Sequence, residues 1–429
     1  MPIEVTCECG APLLLSIASK TTRCSRCKTV KETRDLVPRG GASLGRRPAA
    51  APEGHSDDAP TRTEPGRATG APRGGGASTR PRPRAAEGGA SRHYLLLGLC
   101  LIPLAFVLIR PPSTLSIEDR LDATVAGLPE EQAIEVWEAI DAAADDKALL
   151  RALPGDRLVG ASFGVDSRAH WALAGVSVVF FAGLIAFFPR KDVSAKSLVL
   201  VALFTGTAGI ALLLGLQKLV LGLRMGGLLF LKGPLIIFFL VLKFIAFSYN
   251  VVMTGSESFF LTFFGYTFGV GLCEEIIKAL PIIWRIRKAE HGDELDPRDA
   301  LHWGLASGAG FGIAEGIHYA SEMYNGIEAF SIYPVRFFSC VALHAMWTAA
   351  ASVQLARRAD EVRSFTGFVG TILGWMTVVA VPMVLHGLYD ALLTKDQDAL
   401  ALGVAIASFA WLGLQVQRAM PEAPVPASA

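Results

Sequence analysis

Charge is what this sequence has least of. Asp, Glu, Lys and Arg make up 18% of its 429 residues, and 40 basic against 39 acidic side chains leave a net charge of +1. Without an excess of either sign there is no global field to attract nucleic acid, and no nucleic-acid partner is expected. The chain has no HExxH motif and no Ser/His pair to suggest other hydrolytic chemistry. Cysteine is uneven rather than absent. Four of the seven fall in the first 27 residues, while Cys100, Cys273 and Cys340 are scattered through apolar segments, where a thiol behaves as a small hydrophobe. The chain opens on polar residues and the cysteine cluster, so no signal peptide is expected there.

Apolar residues are abundant instead, at 52% of the chain with a mean hydropathy of +0.42. Nine hydrophobic segments run approximately over 94–109, 171–188, 197–216, 226–247, 258–284, 300–320, 335–356, 365–388 and 398–416. Most have the length of about 20 residues that crosses the hydrocarbon core. The expected fold is an all-α polytopic membrane protein with about 8–9 transmembrane helices, preceded by a small N-terminal zinc ribbon.

Three divisions follow. Residues 1–35 carry Cys7, Cys9, Cys24 and Cys27, two close pairs able to give four thiolates to one structural zinc. A module this short lacks a sufficient core, so metal binding would supply its folding energy. Residues 36–93 are rich in Pro, Gly and Arg without apolar periodicity, the composition of a disordered linker. Residues 94–420 form the transmembrane domain. Its polar insertion at 113–169 has Ile134, Val136, Trp137 and Ile140 at helical spacing, which predicts an amphipathic helical hairpin outside the bilayer.

Basic residues predict orientation. The Arg-rich linker, Arg190 with Lys191 and Lys196, Arg285 with Arg287 and Lys288, and Arg357 with Arg358 and Arg363 all mark a cytoplasmic side, which places the N-terminus in the cytoplasm. These marks conflict in parity. Three crossings separate residue 190 from residue 285, so one segment is re-entrant, non-spanning or exceptional to the charge rule.

The functional signal is charge inside the apolar segments, where it costs several kcal/mol and normally faces a partner or a wet cavity. Glu274 and Glu275 are adjacent in the fifth segment, with Lys278 at i+4 and i+3 on the same helical face. Glu315 lies in the sixth segment among Gly304, Gly308, Gly310, Gly312 and Gly316, whose small size permits close helix approach to a neighbouring backbone or the Glu pair. His318 shares its face, more as a segment-end residue than a ligand. His344 sits midway along the seventh segment. His386 and Asp390 are one turn apart at the end of the eighth, so that Asp390 can orient the imidazole.

Together these groups suggest a water activated within the membrane. Either a Glu acts as base beside histidine donors, or His344, His386 and a carboxylate bind a divalent metal that acidifies the water. Spacing leaves both open. A different class of function, an ion- or proton-coupled transporter using a Glu/His/Asp relay, fits the same residues.

At these residues the sequence resembles the PrsW family of intramembrane proteases, related to the CAAX-prenyl-protease-like group. Glu274, Glu275 and Lys278 match E-E-x-x-K, Phe311 and Glu315 match F-x-x-x-E, His344 precedes Trp347-Thr348, and His386 and Asp390 match H-x-x-x-D. All four occur in the family's order across roughly 255–395. Gly316 departs from the Asn often found after the family's Glu. The resemblance implies endopeptidase cleavage of membrane-anchored protein substrates, such as anti-sigma factors, in regulated proteolysis at a bacterial-type inner membrane. It implies that Glu274 and Glu275 activate water, that His344 and His386 assist or ligate a metal, and that Glu315 and Asp390 support them.

Overall fold

The computed structural model describes residues 3–6, 12–15, 21–23, 30–32, 116–187, 192–222, 234–289, 295–364 and 368–419. Contacts divide the chain into two units, residues 1–82 and 83–429. In the first, β1 (Ile3–Thr6) pairs antiparallel with β2 (Pro12–Leu15), and β3 (Thr21–Arg23) with β4 (Val30–Glu32). The four clustered cysteines, the linker expected over 36–93 and the segment at 94–109 lie outside the described residues.

Among the described residues, the second unit begins with the insertion. Helix α1 (Ile117–Ala126) starts at a capping box between Ser116 and Asp119. It is followed by α2 (Glu130–Asp141) and α3 (Asp146–Arg151). Val125, Leu150, Leu153, Leu158 and Val165 form a small core, against which Val136, Trp137 and Ile140 pack. Two points of the sequence reading need correction. The insertion has three helices rather than a hairpin, and Ile134 points outward, 54% exposed.

The long helices follow as α4 (Ala169–Phe187), α5 (Ala195–Gly222), α6 (Pro234–Thr254), α7 (Phe259–Lys288), α8 (Pro297–Tyr319), α9 (Ile332–Arg357), the short α10 (Ala359–Ser364), α11 (Phe368–Thr394) and α12 (Asp398–Ala419). Seven of them are long and apolar enough to cross a membrane. Helix α8 has comparable length, but its first turns carry Asp299, His302 and glycines, which dilute its hydropathy.

Glycine sets how closely these helices approach. A Cβ on Gly308 would lie 2.2 Å from the His344 carbonyl oxygen, and one on Gly310 would lie 2.2 Å from that of Ala202. Only glycine lets α8 lie directly on the backbones of α9 and α5. On the far side of α7, Gly271 meets Met383, and Gly387 meets Thr267. That crossing brings α11 onto the segment that leads into Glu274.

Packing resolves the conflict of parity. Leu213 and Val220 of α5 cluster with Leu242, Ile245 and Tyr249 of α6, and Gln217 donates to Tyr249. With α7 turning back along α6 through Gly265 and Gly269, α5 and α6 run in the same direction. The basic loops therefore share one end of the bundle. There the Asp192 backbone N–H faces the Asp299 carboxylate at 3.3–3.4 Å, and Arg363 Nε donates to the Ile286 carbonyl at 3.2 Å. The opposite end holds the insertion, which binds the 320–331 loop through Leu158 N to Gly326 O, Gly326 N to Phe163 O and Ser162 N to Glu328 O. Arg120 also donates to Ile327 O. His170 at the start of α4 contacts Ser321 and Asn325, and Tyr333 donates to Asn325 Oδ1 at 2.9 Å.

Candidate active site

Helices α7, α8, α9 and α11 each bring an ionisable group to one buried centre. Three of these helices contain a π-turn next to the site or extend into one: Tyr266–Gly271 precedes Glu274, Val335–Cys340 precedes His344, and Ala320–Tyr324 continues α8 beyond Glu315. Such single wide turns re-aim side chains and recur at functional sites.

Glu274, Glu275, Lys278, Glu315, His344 and His386 are all buried. The Glu275 Oε1 atom accepts from Lys278 Nζ at 2.6 Å and lies 3.0 Å from His386 Nδ1. The other nitrogen of that ring, Nε2, is 3.3 Å from Asp390 Oδ2 and 3.8 Å from Glu274 Oε2. His344 is arranged in the same manner. Its Nε2 lies 2.7 Å from Glu315 Oε2, and its Nδ1 faces Glu274 Oε2 at 4.0 Å. Each imidazole thus has one nitrogen backed by a carboxylate; the other lies within 4.0 Å of Glu274 Oε2 but nearer a second group, Asp390 for His386 and Lys278 Nζ, at 2.8 Å, for His344. A carboxylate behind a histidine fixes its tautomer and raises its basicity toward a metal.

The ring positions are held by packing. Trp347 stacks on His386 with centroids 4.6 Å apart and planes 22° apart, and its Nε1 donates to Ser408 at 2.9 Å. The two imidazoles meet edge to face at 5.3 Å. Glu315 is anchored from behind by Arg336 at 2.6 Å, whose guanidinium lies 3.9 Å over the Tyr319 ring. Glu315 therefore neighbours His344 and Arg336.

All seven ionisable residues singled out in the sequence, Glu274, Glu275, Lys278, Glu315, His344, His386 and Asp390, meet in this one cluster. His318 lines the adjoining cavity. Arg336 is the residue that spacing undervalued. Its signal was a guanidinium at the start of an apolar helix, eight residues before His344.

A cavity of about 690 Å³ adjoins the cluster. Glu274, Glu315, His344, His386 and Asp390 line it, and Glu275 and Lys278 do not. Of the two adjacent glutamates, Glu274 is the one that solvent or substrate meets. The other wall is built by Leu213, Leu214 and Leu221 of α5, with Gln217 and Lys218 among them, and by Val252 and Met253 of α6. Met253, at the insertion end of its helix, is 69% exposed, so the cavity reaches the surface toward that end of the bundle.

The donor set suits a divalent transition metal. One ligand atom from each of Glu274, His344 and His386 lies within 4.8 Å of the other two. Ligands of a tetrahedral zinc, at bond lengths of about 2.0–2.1 Å, stand about 3.3 Å apart, so the donor atoms would have to draw together by up to about 1.5 Å to close the set. Glu274 Oε2 is buried and has no hydrogen-bond partner, the condition expected of an atom reserved for a ligand.

Comparison with known proteins agrees with this arrangement. Residues 217–414 match the model of a family described as PrsW family intramembrane metalloprotease, a stretch that contains every member of the cluster. No curated protein and no solved structure matches the chain.

Proposed function

We propose, from the premise that residues 217–414 belong to the PrsW family of intramembrane proteases, that the Glu274–His344–His386 centre hydrolyses peptide bonds of membrane-anchored proteins. The observation that carries this reading is the pair of carboxylate-backed imidazoles converging on a buried carboxylate oxygen that accepts no hydrogen bond. Those three residues would hold a divalent metal, which supplies Lewis acidity to polarise the scissile carbonyl and acidify water.

The remaining work falls to the chain's own groups. Glu275 and Glu315 orient His386 and His344 and keep one nitrogen of each ring occupied. Asp390 lines the cavity, is 26% exposed at its side chain, and lies 3.3 Å from His386 Nε2. It is the carboxylate placed to take the proton of the attacking water and return it to the leaving amine. Arg336 Nε and the Tyr389 hydroxyl are buried donors without hydrogen-bond partners, on residues that line the same cavity. They are available to charge developing on the carbonyl oxygen.

The basic loops support a reading in which their end of the bundle faces the cytoplasm of a bacterial-type inner membrane. The insertion and the cavity mouth then face the other side, and a substrate span is cut near its extracytoplasmic end. An anti-sigma-factor-like regulator is a substrate of suitable form, cleaved in regulated proteolysis. The head at 1–35 would be a zinc-bound ribbon: Cys7 and Cys9 fall between β1 and β2, and Cys24 and Cys27 between β3 and β4. A four-thiolate zinc there would tie the two hairpins together.

The test is cleavage of single-span substrates in proteoliposomes by wild type, Glu274→Gln, His344→Ala and His386→Ala. All three variants should fold and lose cleavage, and zinc should restore a chelated wild type in a background of Cys24→Ser/Cys27→Ser. Cleavage by Glu274→Gln at the wild-type rate would refute the assignment.

A further inference from the structure

Lys278 borders two of the three candidate metal ligands. Its ammonium is fully buried, 2.8 Å from His344 Nδ1, 2.6 Å from Glu275 Oε1 and 3.8 Å from Glu274 Oε2. Two of those three atoms belong to residues of the candidate metal set, and His344 Nδ1 is the nitrogen that faces Glu274. An ammonium in hydrogen-bonding contact with that nitrogen fills its lone pair, so the same lone pair cannot bind a metal at that time. An ammonium and a divalent cation also repel strongly at such distances in a low-dielectric interior.

The side chain has somewhere to go. Glu275 Oε2 is buried without a hydrogen-bond partner, an acceptor on the carboxylate that already holds the ammonium. The lysine stem is unbranched, and the Phe311 ring lies 5.0 Å from its nitrogen, a face that favours a cation. Withdrawal from His344 can therefore proceed without breaking the ion pair with Glu275.

The geometry points to Lys278 as an internal cation that competes with the metal for His344 and Glu274, so that the centre alternates between a lysine-filled and a metal-filled state. This rests on the metal reading above and adds to it a resident competitor. The lysine-filled state pairs with Glu275, offsets part of the charge of Glu274 and keeps the imidazoles in place when metal is scarce. The metal-filled state requires the ammonium to withdraw toward Glu275. Metal affinity is thereby set lower than the ligands alone would give, which makes loading reversible and sensitive to metal supply.

The experiment measures metal binding rather than cleavage. Full-length protein carrying Cys24→Ser/Cys27→Ser, with either wild-type Lys278, Lys278→Gln or Lys278→Met, is titrated with Zn²⁺ against a chelator of known affinity. Thermal unfolding is followed with and without Zn²⁺. Both variants should bind Zn²⁺ at least about tenfold more tightly than the protein with Lys278, because a like charge has been removed from contact distance. Their unfolding temperatures should be lower without metal and should rise more on adding it, as linkage requires when metal binds the folded state. Should a variant fold only with metal, it is loaded during purification and its release to chelator is timed, with slower release than wild type expected. Equal or weaker affinity in both variants overturns the competition while leaving the metal centre intact. Absence of Zn²⁺ binding in all three proteins overturns both.

Discussion

Gly308→Ala puts the arrangement of the central helices under direct strain. The added Cβ would lie 2.2 Å from the His344 carbonyl oxygen and 2.6 Å from Ala345 Cα. Ordinary contact begins at 3.4 Å, so α8 and α9 must separate by about 1.2 Å, and both obstacles are backbone. Overpacking a core by one methyl typically costs about 1–3 kcal/mol, and here no side-chain rotation relieves it, so a loss at the upper end is expected. The same displacement moves His344 relative to Glu274 and His386. A misplacement of about 1 Å costs on the order of 10²-fold in rate. The assay pairs denaturant unfolding in detergent with kcat/KM on a single-span substrate. Gly215→Ala is the control: it lies in α5 with nothing within 4 Å of the new methyl, and exchanging a helix-interior Gly for Ala stabilises by roughly 0.5–1 kcal/mol. Wild-type stability and activity in Gly308→Ala would show that the helices are not held at this spacing, and the site geometry derived from it would fail.

Two further perturbations follow. Arg336→Gln leaves Glu315 without its guanidinium and should destabilise by about 3–5 kcal/mol, the usual cost of stranding a buried charge. Adding Glu315→Gln should recover most of that stability without recovering cleavage, because His344 has lost its carboxylate; recovery of activity in the double variant would contradict the positioning role. In the insertion, Arg151 grips Asp166 with two hydrogen bonds of 2.8 and 2.9 Å, which hold that carboxyl below its ordinary range. A lowered folded-state pKa gives stability that is present above the unfolded value and is lost as pH falls through the folded one. Acidification should therefore weaken this pair, by little because it is exposed, and Arg151→Gln should return the Asp166 titration midpoint, read by NMR, to the ordinary range.

The membrane helices were legible because their signals are local. Apolar length fixed the spans, and the i+3 and i+4 offsets of Glu274, Glu275 and Lys278 placed three charges on one face before any packing was known. His386 and Asp390 were equally readable as a one-turn pair, and the glycines of α8 announced a close helix crossing. Relations across helices were not legible. Glu315 meets His344 and Arg336 because of where α9 begins, and no spacing within α8 encodes that. The parity of the basic loops depends on α5 and α6 running in the same direction, a tertiary fact that charge counts cannot supply. Ile134 fitted the helical repeat of the insertion yet faces outward, since α2 shows the small core only the face carrying Val136, Trp137 and Ile140.

The account rests on Glu274, His344 and His386 acting as one ligand set. X-ray absorption of the Zn²⁺-loaded protein, with all four head cysteines replaced by serine so that no thiolate contributes, reads that set directly. It should show two imidazole nitrogens and at least one carboxylate oxygen at about 2.0–2.1 Å, and one imidazole should vanish from the spectrum in His386→Ala. A first shell without imidazole, or an unchanged spectrum in that variant, would contradict it.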